Sequence, residues 1–66
     1  MNITVNNNEC ETAENATVTR LLAQLSIPPE KTLVSINDET LSSETFETTL
    51  LKENDSVDLF TFVAGG

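Results

Sequence analysis

Thr17-Val18-Thr19-Arg20-Leu21-Leu22-Ala23-Gln24-Leu25 is the stretch on which the fold turns. Val18, Leu21, Leu22 and Leu25 stand at i, i+3, i+4 and i+7. That spacing lines four apolar side chains along one face of an amphipathic helix. Thr17 or Asn15 can cap its start by accepting a hydrogen bond from the first free backbone N–H groups. Glu14 lies on the side that the helix dipole favours. A capping box would need Glu or Gln at position 20, where the chain has Arg20. Pro28-Pro29 is expected to end the helix, because proline lacks the N–H donor and disfavours helical geometry in the residue before it.

Outward from this segment the period changes from helical to alternating. Upstream, Met1, Ile3 and Val5 share a face with Thr4 between, which reads as a short half-buried strand. Asn6-Asn7-Asn8 follows as a turn, since Asn tolerates left-handed backbone. Glu9-Cys10-Glu11-Thr12 then returns as an edge strand, completing a hairpin, and residues 13–16 form a polar connection. Downstream, Leu33-Val34-Ser35-Ile36 reads as a third strand, Asn37-Asp38 as a turn and Glu39-Thr40-Leu41 as a short fourth strand. Ser42-Ser43-Glu44 looks like a capped single helical turn anchored by Phe46. Leu50 and Leu51 lead into a turn at Glu53-Asn54-Asp55. Ser56 to Val63 carries the clearest strand alternation, with Val57, Leu59, Thr61 and Val63 on one face and Asp58, Phe60 and Phe62 on the other. One helix against one mixed sheet is a two-layer α+β architecture, and the helical crossover allows parallel pairing within the sheet.

Composition narrows the function. At this length a folded chain buries only about 60% of its unfolded surface, so the core is expected to be thin. Three Lys and Arg against eleven Asp and Glu give a net charge of −8. That argues against binding a phosphate backbone or docking on an anionic membrane. No His is present and only one Cys, so a His base, a His/Cys metal site and an internal disulfide are all excluded. Cys10 without a disulfide partner fits a reducing cytoplasm, and the N-terminus has no secretory pattern. The triplets at Asn2, Asn15 and Asn54 that match a glycosylation signal carry little weight without one. The carboxylates of Asp38, Glu39, Glu53 and Asp55 are dispersed, read as solvated surface and lack calcium-loop spacing.

Two features remain. Val57 and Leu59 most simply face the helix stripe, so Phe60 and Phe62 face the other side of the sheet, where no long helix remains to cover them. Either they belong to a small second cluster, with Phe62 tucked against Leu41 or the segment near Phe46, or they form a docking patch for a partner. The second feature is the terminus. The chain has two glycines, and they are its last two residues, Gly65 and Gly66. No turn uses one. A tail without side chains can thread a narrow channel and present an unhindered carboxylate.

On these markers the chain resembles the small sulfur-carrier proteins of thiamine biosynthesis, the ThiS family, with the ubiquitin-like β-grasp fold. The markers are Ile3-Thr4-Val5-Asn6, residues 16–22, Val34-Ser35-Ile36-Asn37, residues 50–55 and Phe62-Val63-Ala64-Gly65-Gly66. Asn37-Asp38, Asn54-Asp55 and Phe46 stand where such proteins often have Asn-Gly, Gly-Asp and Trp. The resemblance implies a single β-grasp domain over residues 1–66, with residues 64–66 a flexible tail and a monomer when free. It implies that the protein is a co-substrate rather than an enzyme and binds no cofactor itself. An E1-like, ThiF-like adenylyltransferase would use ATP and Mg²⁺ to adenylate Gly66. Sulfur from a cysteine desulfurase or related donor would make a thiocarboxylate, and a ThiG-like thiazole synthase would accept that sulfur. Ala64 and Gly65 would thread into the partner, and Phe60 and Phe62 would dock.

Three alternatives stay open in the sequence. A MoaD-like carrier of molybdopterin synthesis shares fold, tail and activation, although the compact length favours the thiamine reading. A ubiquitin-like binding module would never be activated. An acyl carrier would use Ser56 in Asp55-Ser56-Val57, but it needs a helical bundle where this chain alternates as a strand.

Overall fold

The computed structural model describes residues 1–61. Strands β1 (Asn2–Val5) and β2 (Asn8–Glu11) form an antiparallel hairpin, with Val5 opposite Asn8. Its two loop residues, Asn6 and Asn7, have φ of 50° and 68°. Positive φ at both positions is the two-residue turn whose twist matches the flanking strands. Strands β3 (Thr32–Ile36) and β4 (Glu39–Thr40) repeat the arrangement through Asn37 and Asp38, at φ 50° and 71°. Strand β5 (Ser56–Thr61) completes the sheet in the order β2-β1-β5-β3-β4. It runs parallel to β1 and antiparallel to β3. With helix α1 (Val18–Gln24) on one face, this is the expected α+β, ubiquitin-like β-grasp architecture.

Helix α1 has seven residues, too few for a stable helix alone. Tertiary contacts hold its N-terminal end. Thr17 is the N-cap, and its hydroxyl accepts from the Arg20 N–H (3.2 Å). The Val18 and Thr19 N–H groups donate to the carbonyls of Thr49 (3.1 Å) and Phe46 (3.2 Å). The segment that follows a single 3₁₀ turn (Ser43–Thr45) therefore does the work of the absent capping box. That turn is capped by Ser42, and Phe46 behind it is buried, as expected. Glu14 lies outside the helix and pairs with the Met1 ammonium (3.4 Å).

The end of α1 corrects the sequence reading. Pro28-Pro29 does not stop the helix; Ser26 does. Leu25 is the C-cap and Ser26 turns left-handed at φ 59°. Its N–H donates to the Ala23 carbonyl (3.1 Å), and the Ile27 N–H donates to Leu22 (2.9 Å). These two bonds are the Schellman closure, which usually has Gly where Ser26 stands. The prolines instead lead into a second 3₁₀ turn, Pro29–Lys31, which sequence reading missed. β3 begins one residue earlier than expected, and β4 stops one residue before Leu41.

The core lies between α1 and the inner face of the sheet. Val18, Leu21 and Leu22 from the helix meet Ile3, Val34 and Val57 from the three central strands. Ala16, Phe46 and Leu51 close the cluster, and Leu25, Leu41 and Leu59 pack against it. Leu50 points outward and is 53% exposed.

Asp55 is a second correction, since it is buried rather than solvated. Its carboxylate accepts from the Lys52 N–H (2.8 Å) and from Asn37 Nδ2 (3.1 Å). Asn37 Oδ1 in turn accepts from the Ser56 N–H (3.0 Å). The clasp ties the β3–β4 turn to the start of β5.

Two stability predictions follow from these positions. Ser26→Gly removes a left-handed side-chain penalty and should raise unfolding stability in urea by about 1 kcal/mol, with an unchanged m-value. Asp55→Asn turns one of two acceptor oxygens into a donor facing another donor. It should cost about 1–3 kcal/mol in the same measurement.

Candidate functional site

The outer face of the sheet, opposite α1, is built by alternation. Ser56, Asp58 and Phe60 of β5 point there because Val57 and Leu59 point at the core. The pairing register places Thr4 beside Ser56, Ser35 beside Asp58 and Leu33 directly opposite Phe60. Phe60 is 66% exposed and Leu33 49%. They form an apolar cross-strand pair on an open face, at the end of the last described strand. Phe62, Val63, Ala64, Gly65 and Gly66 lie outside the described residues.

The second-cluster alternative places Phe62 against Leu41 or the segment near Phe46, and Phe62 lies outside the described residues. Leu41 and Phe46 both belong to the core on the helix side. Leu33 is the member that sequence reading missed. Its signal was present, since Thr32, Val34 and Ile36 alternate inward and leave an apolar residue at an outward position between them.

The rest of the face is polar and acidic. Thr4 and Ser35 lie on the strands that flank β5 and Thr40 on the edge strand β4, with a hydroxyl contact between Ser35 and Thr40 (3.2 Å). Glu9 lies beside Thr4 and Glu11 beside Asn2, both exposed, and Asp58 is exposed between the two sides. No described strand contains Lys or Arg. The surface is therefore an apolar pair at one end of an anionic field. It suits a partner that offers an apolar socket flanked by cationic side chains.

The described residues bring together no nucleophile with a general base. No group of three or more His, Cys, Asp or Glu among them could hold a metal ion. Cys10 is partly buried against the core, with Gln24 Nε2 3.8 Å from its sulfur. Ser56, the serine of the acyl-carrier alternative, begins a strand in the middle of the sheet, not a helix of a bundle. Among the described residues no helix is long and apolar enough to cross a membrane.

The ThiS family model matches residues 2–66, a span that contains the whole sheet and the terminal Gly65-Gly66. This chain belongs to the ThiS family. Among solved structures it is similar to the thiamine biosynthesis protein ThiS from Geobacter metallireducens. The crystal structure of that protein is 38% identical in sequence, with full coverage of both chains and a TM-score of 0.85. An NMR solution structure of a thiamine biosynthesis protein from Geobacter metallireducens is also 38% identical. There the match covers all of this chain and 88% of the other, with a TM-score of 0.81. Among curated proteins none matches.

The Leu33–Phe60 pair lies at the end of the last described strand. An exposed pair adds little to folding. A double-mutant cycle of Leu33→Ala and Phe60→Ala, read by thermal or urea unfolding, should give a coupling of only about 0.2–1 kcal/mol.

Proposed function

We propose that this protein is a sulfur carrier for thiamine biosynthesis, activated at Gly66. The observation that carries the reading is the ThiS family match through Gly65 and Gly66. The exposed pair of Leu33 on β3 and Phe60 on β5 supports it, because β5 is the last described strand before that terminus.

In this reading the domain spans residues 1–66, acts as a cytoplasmic monomer, and is worked on by other enzymes. A carboxylate is a poor electrophile because its charge is delocalised away from carbon. A ThiF-like adenylyltransferase supplies a leaving group: the Gly66 carboxylate attacks the α-phosphorus of Mg²⁺-bound ATP and releases pyrophosphate. The terminal sulfur of a persulfide, formed by a cysteine desulfurase or related donor, then attacks the acyl carbon and AMP leaves. Thiol reduction of the remaining S–S bond leaves a thiocarboxylate on Gly66. A ThiG-like thiazole synthase takes that sulfur. ATP and Mg²⁺ belong to the activating enzyme.

The chain's own contribution is recognition. Phe60, Leu33 and Phe62 dock the sheet on the partner, while Ala64 and Gly65 thread the terminus, having little or no side chain to obstruct a channel. The net charge of −8 steers the protein toward cationic partner surfaces.

Intact-mass spectrometry tests the activation. After incubation with ATP, Mg²⁺, a sulfur donor and an adenylating enzyme, one oxygen should be replaced by one sulfur, localised to Gly66 by fragmentation. Deletion of Gly65-Gly66 should abolish the change. An unmodified protein, under conditions in which the same enzyme activates a known carrier, would argue for the binding-module alternative. Phe60→Ser should raise KM for the carrier in ATP–pyrophosphate exchange by about tenfold or more, with the fold intact by circular dichroism.

A further inference from the structure

We infer that Asn6 is a positioning residue whose side-chain carbonyl continues the β1–β5 ladder past the end of β1 and holds the part of β5 that carries Phe60. The parallel pairing of β1 with β5 runs through Thr4–Ser56 and Val5–Val57. The Thr4 N–H donates to the Asp55 carbonyl (2.9 Å), and the Asn6 N–H donates to the Val57 carbonyl (2.9 Å). In a regular parallel ladder the next bond would run from the Leu59 N–H to the backbone carbonyl of residue 6. Here it does not. Asn6 has turned left-handed, at φ 50°, to enter the hairpin, and its backbone carbonyl accepts from Asn8 Nδ2 (3.3 Å). The Asn6 side chain fills the place, and its Oδ1 accepts from the Leu59 N–H at 2.8 Å.

The residue thus does two things that, apart from Asn, only Asp combines. It adopts left-handed backbone at modest cost, and it presents a carbonyl at the position where the turned backbone no longer can. Gly would suit the turn better but would leave Leu59 without that acceptor. Leu59 immediately precedes Phe60, whose backbone neighbour on the opposite edge is Leu33 of β3. The Asn6 bond is therefore the β1-side restraint nearest to Phe60 among the described residues of the sheet and its first turn. Its consequence for docking rests on the carrier reading above.

Two variants separate this role from that of a turn residue. Asn6→Gly keeps the left-handed backbone and removes the acceptor. Asn6→Asp keeps both the turn and an acceptor oxygen. In Asn6→Gly, amide hydrogen exchange at Leu59 should speed up by about tenfold. In ATP–pyrophosphate exchange with an adenylating enzyme, its KM for the carrier should rise by about three- to tenfold, with kcat within about twofold of wild type. Asn6→Asp should stay near wild type in both readouts. A residue needed only for the turn gives the reverse order, because Gly is favoured there. Unchanged Leu59 exchange in Asn6→Gly, or a KM no higher than that of Asn6→Asp, overturns the inference. Absence of pyrophosphate exchange with the wild-type protein overturns the carrier reading and the docking consequence with it. The Leu59 rates then decide separately, for or against, whether Asn6 holds the strand.

Discussion

β5 is bonded to β1 along one edge and to β3 along the other, and the strand order leaves no direct pairing between the two hairpins. The two hairpins are joined into one sheet through this strand. Its inward residues, Val57 and Leu59, meet the helix stripe and complete the core. Its outward residue Phe60 meets Leu33 and makes the apolar end of the open face. A single alternating segment thereby couples the core to the open face, because the same backbone that seats Val57 fixes the direction of Phe60.

The way β5 is held follows from the turns beside it. Seven described residues other than glycine have positive φ: Asn6, Asn7, Asn15, Ser26, Asn37, Asp38 and Asn54. Left-handed backbone costs such residues about 1 kcal/mol or more. At Asn6 and Asn37 the cost is offset by a bond that glycine could not make. Each residue ends a strand flanking β5, each turns its own carbonyl away, and each offers its carboxamide oxygen to β5, at Leu59 and at Ser56. Such a hydrogen bond contributes about 0.5–1.5 kcal/mol, so the exchange is close to even in stability. What it adds is direction, since the strand is tied at two defined points.

Periodicity made most of this architecture legible. The helix stripe, the two Asn-led hairpins, the capped turn before Phe46 and the two faces of β5 are patterns of side-chain alternation, and burial enforces alternation. What escaped reading lay in single hydrogen bonds. Ser26 ends the helix because Leu22 and Ala23 supply carbonyls for a Schellman closure, and nothing in an isolated Ser announces left-handed backbone. Asp55 is buried because Asn37 and Lys52 reach it from other segments. Leu33 joins Phe60 only through the β3–β5 register, which depends on strand order rather than on either strand alone.

The strand order also has a kinetic meaning. β1 and β5 pair across a separation of more than fifty residues, and such distant parallel pairing is slow to nucleate. Until β5 inserts, the two hairpins have no common sheet, and the helix stripe has no continuous floor to cover. Partial domains in which β5 has not paired with β3 lack the Leu33–Phe60 pair. Under the proposed docking role, an enzyme that recognises the pair would meet it only on molecules in which that pairing has formed. Recognition would then double as a check on folding, with copies lacking β5 in place passed over.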